Sequence, residues 1–140
     1  MPETHHPTIE VDHLRPPRLD LARLRRYLAR VQRAAGLSGT VSVRLMDDAS
    51  IRRLNRRFRH KDRPTDVLSF PISANGNAGD IAISLDTARR QARRLRHSLD
   101  RELRLLLLHG ALHLAGMDHA SDHGEMDACE LRLRRRFRLR

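Results

Sequence analysis

Two hydrophobic periods alternate along the chain. Residues 8–11 (Thr-Ile-Glu-Val) alternate polar and apolar as a short half-buried strand does, after a polar, proline-bearing stretch, 1–7, that reads as a flexible tail. Beyond Pro16 and Pro17, Leu21, Leu24, Leu28 and Val31 recur at helical spacing with arginines opposite, and Gly36 suits the cap that closes such a helix. Residues 40–46 return to a period of two, with Val41, Val43 and Leu45 on one face and Ser42 and Arg44 on the other, which predicts a second strand. Asp47 or Asp48 then caps a short helix that turns Ile51, Leu54 and Phe58 inward and Arg52, Arg53, Arg56 and Arg57 outward. A polar loop over 59–66 precedes a strand over 67–70, expected to stop at Pro71. Turn residues Asn75, Gly76, Asn77 and Gly79 lead to another strand over 80–84. Asp86 is placed as the cap of a helix with Ala88, Ala92 and Leu95 inward. Ser98 opens a further one with Leu99, Leu103, Leu106 and Leu107 inward, ended by Gly116. Asp122 is the expected start of a last helix bearing Met126, Cys129, Leu133 and Phe137 on one face. Strands early and helices mostly late predict an α/β (α+β) fold, one domain over 1–140, with a mixed sheet of about four strands covered by helices.

Composition narrows this picture. With 39% apolar residues, 140 residues fill one modest core without disulfides, and the lone Cys129 excludes both a disulfide framework and an all-cysteine zinc site. A reducing, cytoplasmic setting is expected, since the N-terminal stretch lacks the basic-then-apolar pattern of a secretory signal. The densest apolar run, 105–117, is interrupted by His109 and His113 and falls short of the roughly 20 residues that cross a bilayer. It reads as a core helix, and no membrane partner is expected. Twenty-eight basic residues against 17 acidic ones leave a formal charge of +11, and Lys61 is the only lysine. That excess points to a polyanion, discounted in part because arginine used almost without lysine also reflects GC-rich coding. Tyr27, Phe58, Phe70 and Phe137 are too few to form base-stacking platforms, so arginine would carry contact with RNA.

Residues 109–119 read His-Gly-Ala-Leu-His-Leu-Ala-Gly-Met-Asp-His. On a helix, His109 and His113 lie one turn apart on one face, so both imidazoles can reach a single ion at about 2.0–2.1 Å. Gly116 can end the helix and fold the chain back, bringing His119 to the same ion from the following loop. Three neutral nitrogens suit Zn2+, one ion per chain, or another divalent metal, and leave a coordination position for water. The bland alternative, partly buried histidines on a leucine-rich helix, does not account for the conjunction of pair, glycine break and third histidine. The other histidines keep that reading: His13 and His97 as surface residues, His123 at a helix start. The spacing also matches the zinc-protease skeleton, but that class carries its base glutamate directly after the first histidine, where this chain has Gly110.

Two blocks make the chain resemble the YbeY family of bacterial metal-dependent endoribonucleases. One is residues 54–71, Leu-Asn-Arg-Arg-Phe-Arg-His-Lys-Asp-Arg-Pro-Thr-Asp-Val-Leu-Ser-Phe-Pro, followed by Gly79-Asp80-Ile81; the other is the histidine segment 109–119. The resemblance spans roughly residues 41–131. It implies that His109, His113 and His119 bind the metal, usually zinc, and that Arg59 is the functional arginine facing it. Met117 and Phe58 stand where the family often has tyrosine, and Ile72-Ser73 where an acidic residue is frequent; none of these is a metal ligand. The loop 72–78 is short.

The resemblance further implies cleavage of single-stranded or flexible ribosomal RNA, in small-subunit 3′-end maturation and ribosome quality control, with the ribosome or ribosomal proteins as partners and no DNA substrate. A guanidinium at position 59 can grip phosphate oxygens through paired hydrogen bonds. Thr65 and Asp66 read as turn residues that can also orient Arg59 and its loop. Asp80 and Asp118 are each either a partner for a ligand imidazole or a backbone cap. Two other readings stand beside this one: a noncatalytic RNA-binding or ribosome-assembly factor whose metal is structural, and a metallohydrolase of protease-like skeleton.

Overall fold

The alternating segments form β1 (Thr8–Val11), β2 (Thr40–Met46), β3 (Val67–Ala74) and β4 (Asn77–Ser84), joined in one sheet in the order β1-β2-β4-β3. The structure, a computed structural model, describes residues 6–12, 18–74, 76–117 and 123–139. β1 pairs with β2 and β2 with β4 in parallel, while β3 and β4 form an antiparallel hairpin, so the sheet is mixed as expected. Parallel neighbours need crossovers. α1 (Leu21–Ala34) provides the first, and α2 (Asp48–Arg59) with β3 lies in the second; α3 (Leu85–Leu95), α4 (Leu99–Leu114) and α5 (Glu125–Arg136) follow the sheet.

Register sorts the strand residues into two faces. Val43 stands level with Ile9 and Ile81, and Leu45 with Val11 and Ile83, which gathers the β-branched residues on one side. That side packs against Leu24, Leu28 and Val31 of α1, Leu107, Leu108 and Leu112 of α4, and Met126 and Leu133 of α5. The other side carries a smaller core of Met46, Leu68 and Ala82 under Ile51 of α2. α4 is apolar nearly all round because it is enclosed: it touches α1, α3, α5, β3 and β4. The helix starts are capped as their sequences dictate, Asp20 accepting from the Arg23 N–H, Asp47 from Ser50 and Ser98 from Arg101.

Five expectations need correction. β3 runs through Pro71 to Ala74, because β3 is an edge strand where a missing N–H need not break the ladder, and β4 starts at Asn77 rather than at Asp80. α3 is capped by Ser84, the last residue of β4, so strand passes into helix without a loop; Asp86 lies in its first turn and accepts instead from the Asp48 N–H at 2.9 Å. Phe58, on the last turn of α2, is 51% exposed: the small second core ends before it, and its ring rests edge-on against Phe70 at 5.3 Å. Leu95, the final residue of α3, is likewise exposed. α5 begins after Gly124; the expected start at Asp122 lies outside the described residues, as do residues 1–5 of the expected tail, whereas Pro7 is buried.

α2 and α3 are tied through one carboxylate. Asp48 accepts from Ser84 Oγ at 2.6 Å, Thr87 Oγ1 at 2.7 Å and Arg90 Nη2 at 2.7 Å. Burial pushes its pKa up, but the donors from Ser84, Thr87 and Arg90 outweigh that and hold it below the usual carboxylate range. A carboxyl with a depressed folded-state pKa stabilises above its unfolded value, about 4, and loses that contribution as pH falls through the folded value. Asp48→Asn is therefore expected to lower the urea midpoint near neutral pH, with the two proteins converging as pH drops below about 4. A gap that stays constant into acid contradicts this role.

Candidate active site

α4 presents His109 and His113 one turn apart, both half-buried, with Nε2 atoms 3.0 Å apart and rings inclined at 73°. Two nitrogens bound at about 2.0–2.1 Å to one tetrahedral ion stand roughly 3.3 Å from each other, so the pair fits a shared divalent cation with little adjustment. Gly116, at φ +91°, ends the helix as its sequence predicts, with Met117 N–H bonded back to Leu112 O at 3.1 Å. The chain then enters residues 118–122, and His119 and Asp118 lie outside the described residues. Among the described residues no third histidine, cysteine or carboxylate completes a metal-holding group.

The imidazole pair opens into a cleft of about 600 Å³ between α4, the edge strand β3 and the segment that joins α2 to β3. Arg59, Lys61 and Arg63 line it, as do Thr65 and Asp66. Arg59, the last residue of α2, donates from Nη2 to Ser69 O at 3.0 Å, which lays its guanidinium along β3 and leaves other N–H groups for a ligand. His60 follows with a left-handed backbone, φ 58°, and turns the chain out of the helix. Asn55 secures the loop beyond: its carbonyl accepts from Lys61 N–H at 3.3 Å and its side-chain amide donates to Arg63 O at 2.9 Å. Asn55 is 3% exposed, a polar residue inside the apolar stripe of Ile51, Leu54 and Phe58. That interruption was a readable signal, and the sequence reading passed over it.

Asp66 serves the turn. Its Oδ1 accepts from Val67 N–H at 2.8 Å and from Thr65 Oγ1 at 3.4 Å, and its Oδ2 from Gln91 Nε2 at 3.4 Å. Asp80 is not brought to the imidazoles. Its register opposite Phe70 sets it on the α2 side of the sheet, exposed, in a separate groove with Phe58 and Ile72. His97 departs from its surface reading: half-buried, it meets the buried carboxylate of Glu102 at 2.6 Å. Glu130 of α5, which the sequence reading also omitted, has Oε1 3.4 Å from His109 Nδ1.

Position 110 settles the protease skeleton in steric terms. One residue beyond His109 rotates the side-chain direction by about 100°, toward the sheet. A Cβ on Gly110 would lie 3.1 Å from Ile81 Cδ1 and 3.2 Å from Ser69 Oγ. Ser69 Oγ meanwhile donates to Gly110 O at 3.1 Å, fastening β3 to α4 beside the histidines. The site where a peptidase base would stand is a tight packing contact between α4 and the sheet.

Fold and cleft define a class: an α/β protein with a mixed sheet and a cationic, histidine-lined cleft that has the charge to receive a phosphodiester strand. Residues 18–137 match the family described as "Endoribonuclease YbeY". The Endoribonuclease YbeY of Koribacter versatilis (strain Ellin345) is 56% identical over 113 residues, 81% of this chain and 74% of the relative. That of Solibacter usitatus (strain Ellin6076) is 45% identical over 116 residues, 83% of this chain and 78% of the relative. The solution structure of TM1509 from Thermotoga maritima superposes with a TM-score of 0.63 at 28% identity, covering 94% of this chain and 91% of that one. The chain belongs to the YbeY family.

Gly110→Ala is expected to lower stability by about 1–3 kcal/mol, the cost of overpacking a close helix–sheet contact, read as a reduced urea midpoint. Gly110→Glu is expected to destabilise further and to gain no peptidase activity; a stable Gly110→Glu protein would show that the position opens to the cleft after all.

Proposed function

We propose that this chain is a metal-dependent endoribonuclease that cuts single-stranded or flexible ribosomal RNA, in small-subunit 3′-end maturation and ribosome quality control. Membership of the YbeY family supports the activity. The observation that carries the reading to these residues is the shared cleft, in which the helical imidazole pair faces the same space as Arg59, Lys61 and Arg63. Zn2+ is the proposed metal, one ion per chain, held by His109, His113 and, beyond the end of α4, His119.

When bound, such an ion activates a water and polarises the scissile phosphate. The protein's own groups do the rest. His109 and His113 contribute neutral nitrogens from a rigid, fully packed helix. Arg59, held in place by its bond to Ser69 O, stabilises charge developing on the phosphate oxygens. Lys61 and Arg63, on a loop pinned by Asn55, neutralise neighbouring phosphates of the strand. Asp66 is the carboxylate in the cleft wall, but its oxygens are engaged by Val67, Thr65 and Gln91, so it supports the turn instead of acting as a base. With glycine at position 110, the metalloprotease alternative lacks the base that its skeleton carries there.

Among the described residues no helix is long and apolar enough to cross a membrane. We place the protein in the cytoplasm, with the ribosome or its proteins supplying the site of action.

The test is cleavage of a small-subunit ribosomal RNA fragment by wild type and by Arg59→Glu, with fold and metal content measured on both. Arg59→Glu is expected to keep its metal and lose about 100-fold or more in rate, the scale of removing one transition-state donor. Wild-type rates in Arg59→Glu, or no cleavage by fully metal-loaded wild type, would overturn the reading. Three cleft cations also set a salt dependence: log affinity for single-stranded RNA is expected to fall against log salt with a slope of about −2. A flat profile between low and physiological salt would mean that they do not meet phosphates.

A further inference from the structure

We propose that Glu130 is a positioning residue of the metal site: from α5, its carboxylate holds the Nδ1 side of His109 and thereby turns Nε2 toward His113 and the shared ion. This rests on the reading of His109 and His113 as metal ligands.

Glu130 occupies a core position. Met126, Glu130 and Leu133 form the buried stripe of α5, with Met126 at 0% and Leu133 at 3% exposure and Glu130 between them at 9%. A carboxylate among apolar neighbours is costly unless paired. Its Oε1 lies 3.4 Å from His109 Nδ1 and 3.5 Å from Arg134 Nη2. Arg134 is one turn further along the same helix, with its side chain 41% exposed, so that pairing ties Glu130 only within α5. The contact with His109 crosses between elements, from α5 to α4.

An imidazole directed by a carboxylate at one nitrogen keeps its proton there and offers the lone pair of the other. Here the carboxylate is at Nδ1, and the nitrogen left to bind is Nε2, the atom that stands 3.0 Å from His113 Nε2. Asp66 and Glu102 also line the cavity of about 480 Å³ behind His109, but the first is engaged by the Val67 N–H and the second by His97. Glu130 is the carboxylate of that cavity aimed at the ligand ring.

The experiment measures Zn2+ affinity by competition with a chromophoric chelator, on full-length protein stripped of metal, for wild type, Glu130→Leu, Glu130→Gln and His113→Ala. Leucine suits the Met126–Leu133 stripe, so Glu130→Leu is expected to match or exceed the zinc-free wild type in unfolding midpoint while binding Zn2+ about 10- to 100-fold more weakly. Glu130→Gln, whose amide oxygen keeps an acceptor for Nδ1–H at that position, is expected to recover most of the loss. A measurement on unaltered protein is independent of any variant's folding: nitrogen NMR of zinc-free wild type is expected to show His109 protonated at Nδ1. Wild-type affinity in Glu130→Leu, or a His109 ring protonated at Nε2, overturns the proposal. If His113→Ala loses Zn2+ and Glu130→Leu does not, only the role of Glu130 fails; if His113→Ala binds as tightly as wild type, the ligand reading fails and takes the proposal with it.

Discussion

The close approach of α4 to the β3–β4 hairpin governs the rest of the molecule. Two missing side chains allow it. A Cβ on Gly79 would stand 2.5 Å from Leu114 Cδ2, and one on Gly110 would press on Ile81 and Ser69. With those positions bare, the helix settles on the hairpin and Ser69 bonds to the Gly110 carbonyl. Leu107, Leu108 and Leu112 then bury fully, while one helical face is left over the edge strand. That face carries His109 and His113. The histidines thus sit on the most enclosed element of the fold, and their geometry is set by packing on four sides instead of by a loop.

The opposite wall of the cleft is built differently. Arg59 comes from the end of a short helix with a modest core beneath it, and Lys61 and Arg63 from the loop after it. Order there depends on polar contacts: Asn55 at both ends of the loop, Asp66 in the turn, the Arg59 bond to β3, and Asp48 joining α2 to α3. An imidazole pair facing a cationic wall across one cleft suits a substrate that carries phosphates. The charge of +11 extends this preference over the surface, and the cleft is where it is given direction.

Local periodicity was enough to read most of the fold. β1, β2 and the start of α4 at Ser98 follow from alternation and capping that need no tertiary information. Failures arose where position in the sheet overrides local preference. Pro71 reads as a stop until β3 is known to be an edge, and Asp86 competes with Ser84 as a cap until β4 is seen to run straight into α3. Phe58 and Leu95 continue an apolar stripe past the point where anything covers it. In the site, the histidine pair was legible because its geometry is intrahelical. Asn55, Ser69 and Glu130 act across elements, and a one-dimensional pattern cannot name their partners, although Asn55 and Glu130 each interrupt an apolar stripe. Arg59 stood out from the other arginines only through the family block; the structure supplies its bond to Ser69.

The helical histidines are the proposed core of one metal centre. The most direct measurement is the metal content of the full chain together with the ligand shell seen by X-ray absorption, for wild type and for His109→Ala, His113→Ala and His119→Ala. A three-histidine centre requires one divalent ion per chain with three nitrogen ligands at about 2.0–2.1 Å, and loss of that ion or of one nitrogen in each variant. An ion held without nitrogen ligands, or one indifferent to the loss of His109 and His113, would contradict it.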